Sequence, residues 1–211
     1  MTRLVIFDCD GVLVNSEAIA NRVMARHISQ QGWVMNGPES QALFKGQTMK
    51  QVMEQVEAKL GRRLPSAWLS RFEEECFSAF HDELEAVDGV IELIRRIHRA
   101  GITTCVASQG SKAKMRVTLT AAGLIDMIGA HIFSAAEVGR PKPAPDIFLR
   151  AAMQMSTPAR QCLVIEDSLS GVKAALAANM RVIGYDPENT GALAIDPRVK
   201  IVRSLRNITH L

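Results

Sequence analysis

Aromatic residues are scarce in this chain, at 5% of its 211 residues, with one tyrosine and two tryptophans. Base-stacking platforms are hard to build from so few rings, and the lysines and arginines are scattered at a net charge of only +3. No nucleic-acid partner is expected. Cysteine is sparse as well. Cys9, Cys76, Cys105 and Cys162 form no CxxC pair, and three of them lie inside apolar runs. That pattern points to reduced cysteines packed as small hydrophobes, against a disulfide frame or a zinc site. No run approaches the ~20 apolar residues of a membrane span. The first one, Leu4 to Phe7, is too short for a secretory signal and runs into two aspartates. A cytoplasmic protein with no membrane partner, monomeric by default, is the expectation. The five histidines (His27, His81, His98, His131, His210) show no metal-ligand spacing and are expected on surfaces or helix flanks. The patterns GxGxxG and GxxxxGK[ST] are missing and no Ser/His nucleophile pair is evident, so a dinucleotide or P-loop reading has no support.

What is present is an alternation. Four continuous apolar runs, Leu4 to Phe7, Ile102 to Ala107, Cys162 to Ile165 and Arg181 to Tyr185, read as strands buried on both faces. Amphipathic stretches lie between them. Val90, Leu93, Ile94 and Ile97 keep a 3.6-residue period, with Gly101 as the stop. Asp146 to Met155 follows Pro145, and Ser168 to Ala178 ends at Asn179. This βαβα order predicts a three-layer, Rossmann-like α/β core with a parallel sheet.

One region interrupts the order. Residues 16–86 read as helices without a strand: one over Glu17 to Gln31, one opened by a Thr48-to-Gln51 capping box and stopped by Gly61, and one after Pro65 with Ser66 as its cap. They are expected to form an inserted α-helical cap domain, leaving residues 1–15 and 87–211 as the core.

In open α/β sheets ligands bind beyond the carboxyl ends of the strands. The residues just past the runs are Asp8, Asp10 and Gly11; Ser108, Gln109, Gly110 and Ser111; and Glu166 and Asp167. Lys142 stands in an Arg-Pro-Lys-Pro-Ala-Pro-Asp turn ahead of the Asp146 helix. Several carboxylates gathered together repel one another unless a cation offsets them, and all-oxygen ligands suit Mg²⁺. A carboxylate can act as nucleophile, and a lysine and a cation can neutralise a transferring phosphoryl group. The Ser108 hydroxyl and the N–H groups of Gln109 and Gly110 can cradle phosphate. Singly, each has a plainer reading: Asp and Gly make turns, Ser108 or the Glu166-Asp167 pair caps a helix, and Lys142 is solvated.

Taken together, Asp8-Cys9-Asp10-Gly11-Val12-Leu13-Val14, Ser108, Lys142 in Lys-Pro-Ala-Pro-Asp and Glu166-Asp167-Ser168 resemble the haloacid dehalogenase superfamily over the whole chain. The place of the helical insert is similar to that in the β-phosphoglucomutase-like branch. Leu43-Phe44-Lys45-Gly46 and Glu83-Leu84-Glu85-Ala86 resemble bacterial 6-phosphogluconate phosphatase-like members. The resemblance implies that Asp8 attacks phosphorus. Asp10 would protonate the leaving oxygen and then activate water. Mg²⁺ would be held by Asp8, Asp10 through its backbone carbonyl, Asp167, and Glu166 directly or through water. Lys142 would pair with Asp8 and the phosphate, Ser108 would bind a phosphate oxygen, and cap residues between Phe44 and Met49, Lys45 and Gln47 among them, would select a small phosphorylated metabolite.

Three rivals remain. A phosphomutase of the β-phosphoglucomutase type grips a second phosphate with a cap arginine and carries a histidine on the first cap helix; here those positions are Met49 and Ala20. Haloacid dehalogenation uses no metal and lacks an acid two residues after the nucleophile, where this chain has Asp10. A non-catalytic phosphate-binding module would be expected to lose a catalytic position, and none is missing. Asn15 replaces the aspartate of many relatives at the first hinge.

Overall fold

The computed structural model describes residues 1–45 and 47–209; Gly46, His210 and Leu211 lie outside the described residues. Among the described residues six strands form a single sheet: β1 (Leu4–Phe7), β2 (Thr103–Ser108), β3 (Ile132–Ser134), β4 (Cys162–Glu166), β5 (Arg181–Tyr185) and β6 (Val199–Val202). The order is β3-β2-β1-β4-β5-β6 and every pairing is parallel. Strand β1 and strand β4 are buried at every position, as the unbroken apolar runs require. Two strands go beyond the four read from sequence. Strand β3 has only three residues, and β6 is an edge strand whose Lys200 faces out.

Register places the functional residues. Phe7 lies opposite Val106 on one side and Ile165 on the other. The next residue, Asp8, therefore stands level with Ala107 and Glu166. Asp8 extends the ladder by donating its N–H to the Ile165 carbonyl at 3.0 Å.

The chain divides into two compact units, one of Asn15–Leu84 and the other of Met1–Val14 with the chain from Glu85 on. The helical unit starts one residue before the expected boundary and ends two before it. Glu85 and Ala86 go with the sheet because Val14 bridges Ala86 antiparallel and Val87 donates to the Leu13 carbonyl at 2.9 Å.

The helical unit holds α1 (Ser16–Gln30), α2 (Gly37–Phe44), α3 (Met49–Leu60) and α4 (Trp68–Glu83). Helix α1 packs on α2 and on α4. Helix α2 is absent from the sequence reading because Gly37-Pro38 looks like a breaker. Proline suits the first helical turn, however, and Asn36 with Glu39 closes a capping box ahead of it. The Thr48–Gln51 capping box is present, and Gly61 ends α3 at φ 65°. Ser66 does not cap α4; Ala67 holds that place without a side-chain bond. Trp68, Phe72, Cys76 and Phe80 form the buried face of α4. His27 departs from the expected surface position: it is buried, edge-on to Trp68 and Phe72, with Nε2 on the Glu75 carboxylate.

In the sheet unit, α5 (Val90–Arg99) buries Val90, Leu93, Ile94 and Ile97, and Gly101 beyond its end takes φ 72°. The remaining helices are α6 (Lys112–Ala121), α7 (Ile125–Ile128), α8 (Asp146–Gln154) and α9 (Leu169–Ala177). Helix α8 lies against β1, β2 and β3, and α9 lies against β4 and β5. No disulfide joins the four cysteines, all of which are buried. Among the described residues no helix is long and apolar enough to cross a membrane.

Candidate active site

Two strand ends, those of β1 and β4, deliver the carboxylates. Beyond β1 the chain turns sharply: Gly11 donates to the Val14 carbonyl at 2.9 Å, and Leu13 and Val14 both donate to that of Cys9. Gly11 sits at φ 87°, a conformation open to glycine at little cost. A Cβ on it would lie 1.9 Å from Asp167 Oδ2, so the Asp167 carboxylate fills the space beside the Asp10-Gly11 backbone.

Lys142 comes from the loop before α8 and its side chain is 1% exposed. An ammonium has three N–H donors, and here each finds an acceptor. Asp8 Oδ1 and Glu166 Oε1 lie 2.5 Å from Nζ, and the Ala107 carbonyl lies at 3.1 Å. The ammonium also stands 4.8 Å from the centre of the Phe148 ring. Glu166 was expected to hold metal, directly or through water. Its oxygens are engaged elsewhere: Oε1 with Lys142, and Oε2 with the Ser168 N–H at 2.8 Å and hydroxyl at 2.9 Å. The structure thus makes Glu166 a buried partner of Lys142.

Gly171, in the first turn of α9, gives Glu166 its room, since a Cβ there would stand 1.7 Å from Oε1. The Gly171→Ala protein should lose about 1–3 kcal/mol, the usual cost of overpacking. Thermal denaturation checks this, reading the loss of an anchor for Lys142. An unchanged melting midpoint would show that Glu166 moves aside freely.

Ser108 ends β2 and is buried, and the Gly110 N–H reaches its hydroxyl at 3.4 Å. The Ser134 hydroxyl, at the end of β3, donates to the Gly110 carbonyl at 2.7 Å and so pins the Ser108–Ser111 loop. Ser134 escapes the sequence reading along with its three-residue strand. Lys114 escapes it too: Nζ is 2.9 Å from both oxygens of Asp10. The sequence signal for it is two lysines, Lys112 and Lys114, in the first turn of one helix. Of the expected cap residues, Lys45 and Gln47 are exposed, and the Gln47 amide donates to the Leu43 carbonyl at 3.0 Å. Phe44 is buried and packs in a T-shaped contact with Trp33. Met49 is half-buried at the start of α3. Asn15 stands before α1 and makes no capping bond with its side chain.

The charge balance is uneven. Four carboxylates (Asp8, Asp10, Glu166, Asp167) share the strand ends with two ammoniums (Lys114, Lys142), an excess of two negative charges if all are ionised. Burial pushes the Asp8 pKa up to about 7; Lys142 works against this, while Glu166 and Asp10 add to it. Burial also works against the Lys142 charge, yet Asp8 and Glu166 hold its pKa well above the ordinary lysine value. The Cys9 thiol is pushed up by burial and then by Asp10 and Asp8, so it stays protonated and is no nucleophile. Among the described residues no group of three His, Cys, Asp or Glu side chains could hold a metal by itself. A backbone carbonyl would have to complete the set. The donors at hand, Asp8, Asp167 and the Asp10 carbonyl, are all oxygen, and their surplus charge suits a hard divalent cation.

A family model described as haloacid dehalogenase-like hydrolase matches residues 2–179. The 6-phosphogluconate phosphatase of Escherichia coli K12 is 28% identical over 210 residues, covering 98% of this chain and 93% of the relative. Hexitol phosphatase A of the same organism is 29% identical, covering 97% and 92%. The solved structure of a HAD family hydrolase from Deinococcus radiodurans, with bound phosphate and sodium, superposes with a TM-score of 0.77 at 30% identity and covers 96% of this chain and 92% of its own.

Proposed function

The chain belongs to the haloacid dehalogenase-like hydrolases, and from that premise we propose that it hydrolyses the phosphate ester of a small metabolite, a sugar or sugar-acid phosphate, with Asp8 as nucleophile. The observation that carries the reading is the buried contact of Lys142 with both Asp8 and Glu166, at the end of the strand that presents Asp10 two residues further on. The Escherichia coli relatives, named 6-phosphogluconate phosphatase and hexitol phosphatase A, support the substrate class.

In this reading Lys142 orients the Asp8 carboxylate and offsets charge on the incoming phosphate, while Glu166 and the Ala107 carbonyl keep the ammonium in place. The Ser108 hydroxyl and the N–H groups of Gln109 and Gly110 bind phosphate oxygens, on a loop that Ser134 steadies. Asp8 Oδ attacks phosphorus as the ester oxygen leaves with a proton from Asp10, giving a phospho-aspartate. Asp10 then takes a proton from water, whose oxygen attacks phosphorus and returns Asp8 to its free carboxylate. Asp8, Asp167 and the Asp10 backbone carbonyl would hold Mg²⁺, which neutralises charge on the phosphoryl oxygens.

The test is phosphate release from a panel of phosphorylated metabolites with Mg²⁺ and with EDTA. Turnover with Mg²⁺ and none with EDTA is expected; equal turnover in both would sink the metal assignment. Isomerised sugar phosphate appearing without free phosphate would favour the mutase.

The raised Asp8 pKa adds a pH dependence. A carboxyl whose folded pKa lies near 7, above its ordinary 3.8, binds protons more tightly in the folded protein. Its contribution to metal-free stability is fully present below about pH 4 and is lost as pH rises through about 7. Mg²⁺ needs the ionised carboxylate. The melting midpoint in EDTA should therefore drop between pH 5 and pH 8, and the rise on adding Mg²⁺ should be larger at pH 8. A larger Mg²⁺ effect at pH 5 would contradict the assignment of Asp8 as a ligand.

A further inference from the structure

Helix α6 opens with residues that helix electrostatics disfavours. Its first turn, Lys112-Ala113-Lys114, contains no acid, although the positive end of the peptide dipoles favours carboxylates there. Each lysine meets a carboxylate from another part of the core. Lys112 lies 2.6 Å from Glu137, and Lys114 grips both oxygens of Asp10. The Ser111 hydroxyl accepts the Lys114 N–H at 3.2 Å and fixes that residue's backbone. Gly110 lies alongside: a Cβ on it would stand 3.7 Å from Asp10 Oδ2 and 3.8 Å from Lys114 Cδ. The Lys114 and Asp10 side chains are 30% and 21% exposed. The pair is partly buried. Lys114 is thus held against the dipole, on the carboxylate that the proposed mechanism uses twice.

We infer that Lys114 is a positioning residue for Asp10, and that its main effect falls on hydrolysis of the phospho-aspartate. The inference rests on the phosphatase reading of the same site. Bonded to both oxygens, the ammonium sets the plane of the Asp10 carboxylate. In the hydrolytic half-reaction Asp10 takes a proton from water as the water oxygen bonds to phosphorus. The bond between phosphorus and Asp8 oxygen breaks, its electron pair returns to Asp8, and phosphate departs. Lys114 touches neither phosphorus nor water and works through Asp10. When the leaving group is acidic enough to depart unprotonated, the first half-reaction has little need of Asp10, whereas the second always needs it.

The experiment uses the full chain with Mg²⁺ and p-nitrophenyl phosphate, comparing wild type, Lys114→Met, Lys114→Arg, Asp10→Asn and the double variant Asp10→Asn/Lys114→Met. Circular dichroism and melting midpoints confirm folding first. Lys114→Met should release the first equivalent of nitrophenolate within about threefold of the wild-type rate, then turn over roughly ten- to hundredfold more slowly, a share of what general acid–base catalysis contributes. Lys114→Arg should recover most of the steady-state rate. In the Asp10→Asn background, Lys114→Met should add less than about threefold, since two residues acting as a unit are not additive. Equal slowing of burst and steady state, or a full multiplicative loss on top of Asp10→Asn, would overturn the role of Lys114. Absence of turnover in the wild type would instead overturn the phosphatase reading, before any variant is compared.

Discussion

Replacing Asp8 with asparagine should abolish phosphate release, to below about 10⁻⁴ of the wild-type rate, while the protein stays folded. The size of the loss follows from the role: a nucleophile that becomes an amide cannot form the acyl phosphate, and what remains comes from binding and electrostatics alone. The fold should survive because asparagine keeps the shape and removes one of the surplus negative charges at the strand ends. Relief of that charge should leave Asp8→Asn at least as stable as wild type in EDTA, where the wild-type carboxylate is buried with its pKa pushed up to about 7. Colorimetric phosphate assay and thermal denaturation read the two effects. A variant retaining a tenth of the activity would remove Asp8 from the chemistry.

Lys142→Met should be the most destabilising single change at the site. The ammonium satisfies Asp8, Glu166 and the Ala107 carbonyl together, and its side chain is almost fully buried. Methionine fills similar volume but leaves two carboxylates facing each other without a cation. Removing one partner of a buried pair costs about 3–5 kcal/mol. For a chain of this length that lowers the melting midpoint by on the order of 10 °C. Turnover should fall by about 10²–10³ or more, as when a preorganised charge-stabilising group is deleted. The double variant Lys142→Met/Glu166→Gln separates the two effects, because removing one of the stranded charges should restore part of the stability and none of the activity. Recovery of activity in the double variant would mean that Lys142 has only a structural role.

Most of the sheet is legible in sequence because β1, β2, β4 and β5 are buried on both faces and so appear as unbroken apolar runs. Strand β3 is too short to stand out, and β6 is an edge strand with an outward lysine in its middle. Helix α2 is hidden by Gly37-Pro38, whose meaning reverses once Asn36 is seen to cap it. At the candidate site, Asp8, Asp10, Ser108, Glu166 and Asp167 can be found without coordinates, since each follows a strand that reads as buried. What each side chain touches is not legible. Glu166 and Asp167 are adjacent in sequence, and both are expected at the metal, Glu166 directly or through water. Only the structure shows that Glu166 turns inward to Lys142 and Ser168 while Asp167 lies over Gly11. Lys114 is hidden for a related reason. A lysine in a helix reads as solvated until the Asp10 carboxylate, 104 residues away, is seen beside it.

The proposed mechanism depends on a covalent bond between Asp8 and phosphorus, and one measurement addresses that bond directly. Asp10→Asn protein, mixed with Mg²⁺ and p-nitrophenyl phosphate, should form the phospho-aspartate and hydrolyse it slowly. Acid quenching followed by peptide mass spectrometry should then find the mass of one phosphoryl group on the peptide containing Asp8, approaching one equivalent per chain and absent when Asp8 is also asparagine. Nitrophenolate released over many turnovers with no such adduct, or an adduct on another residue, would contradict the mechanism.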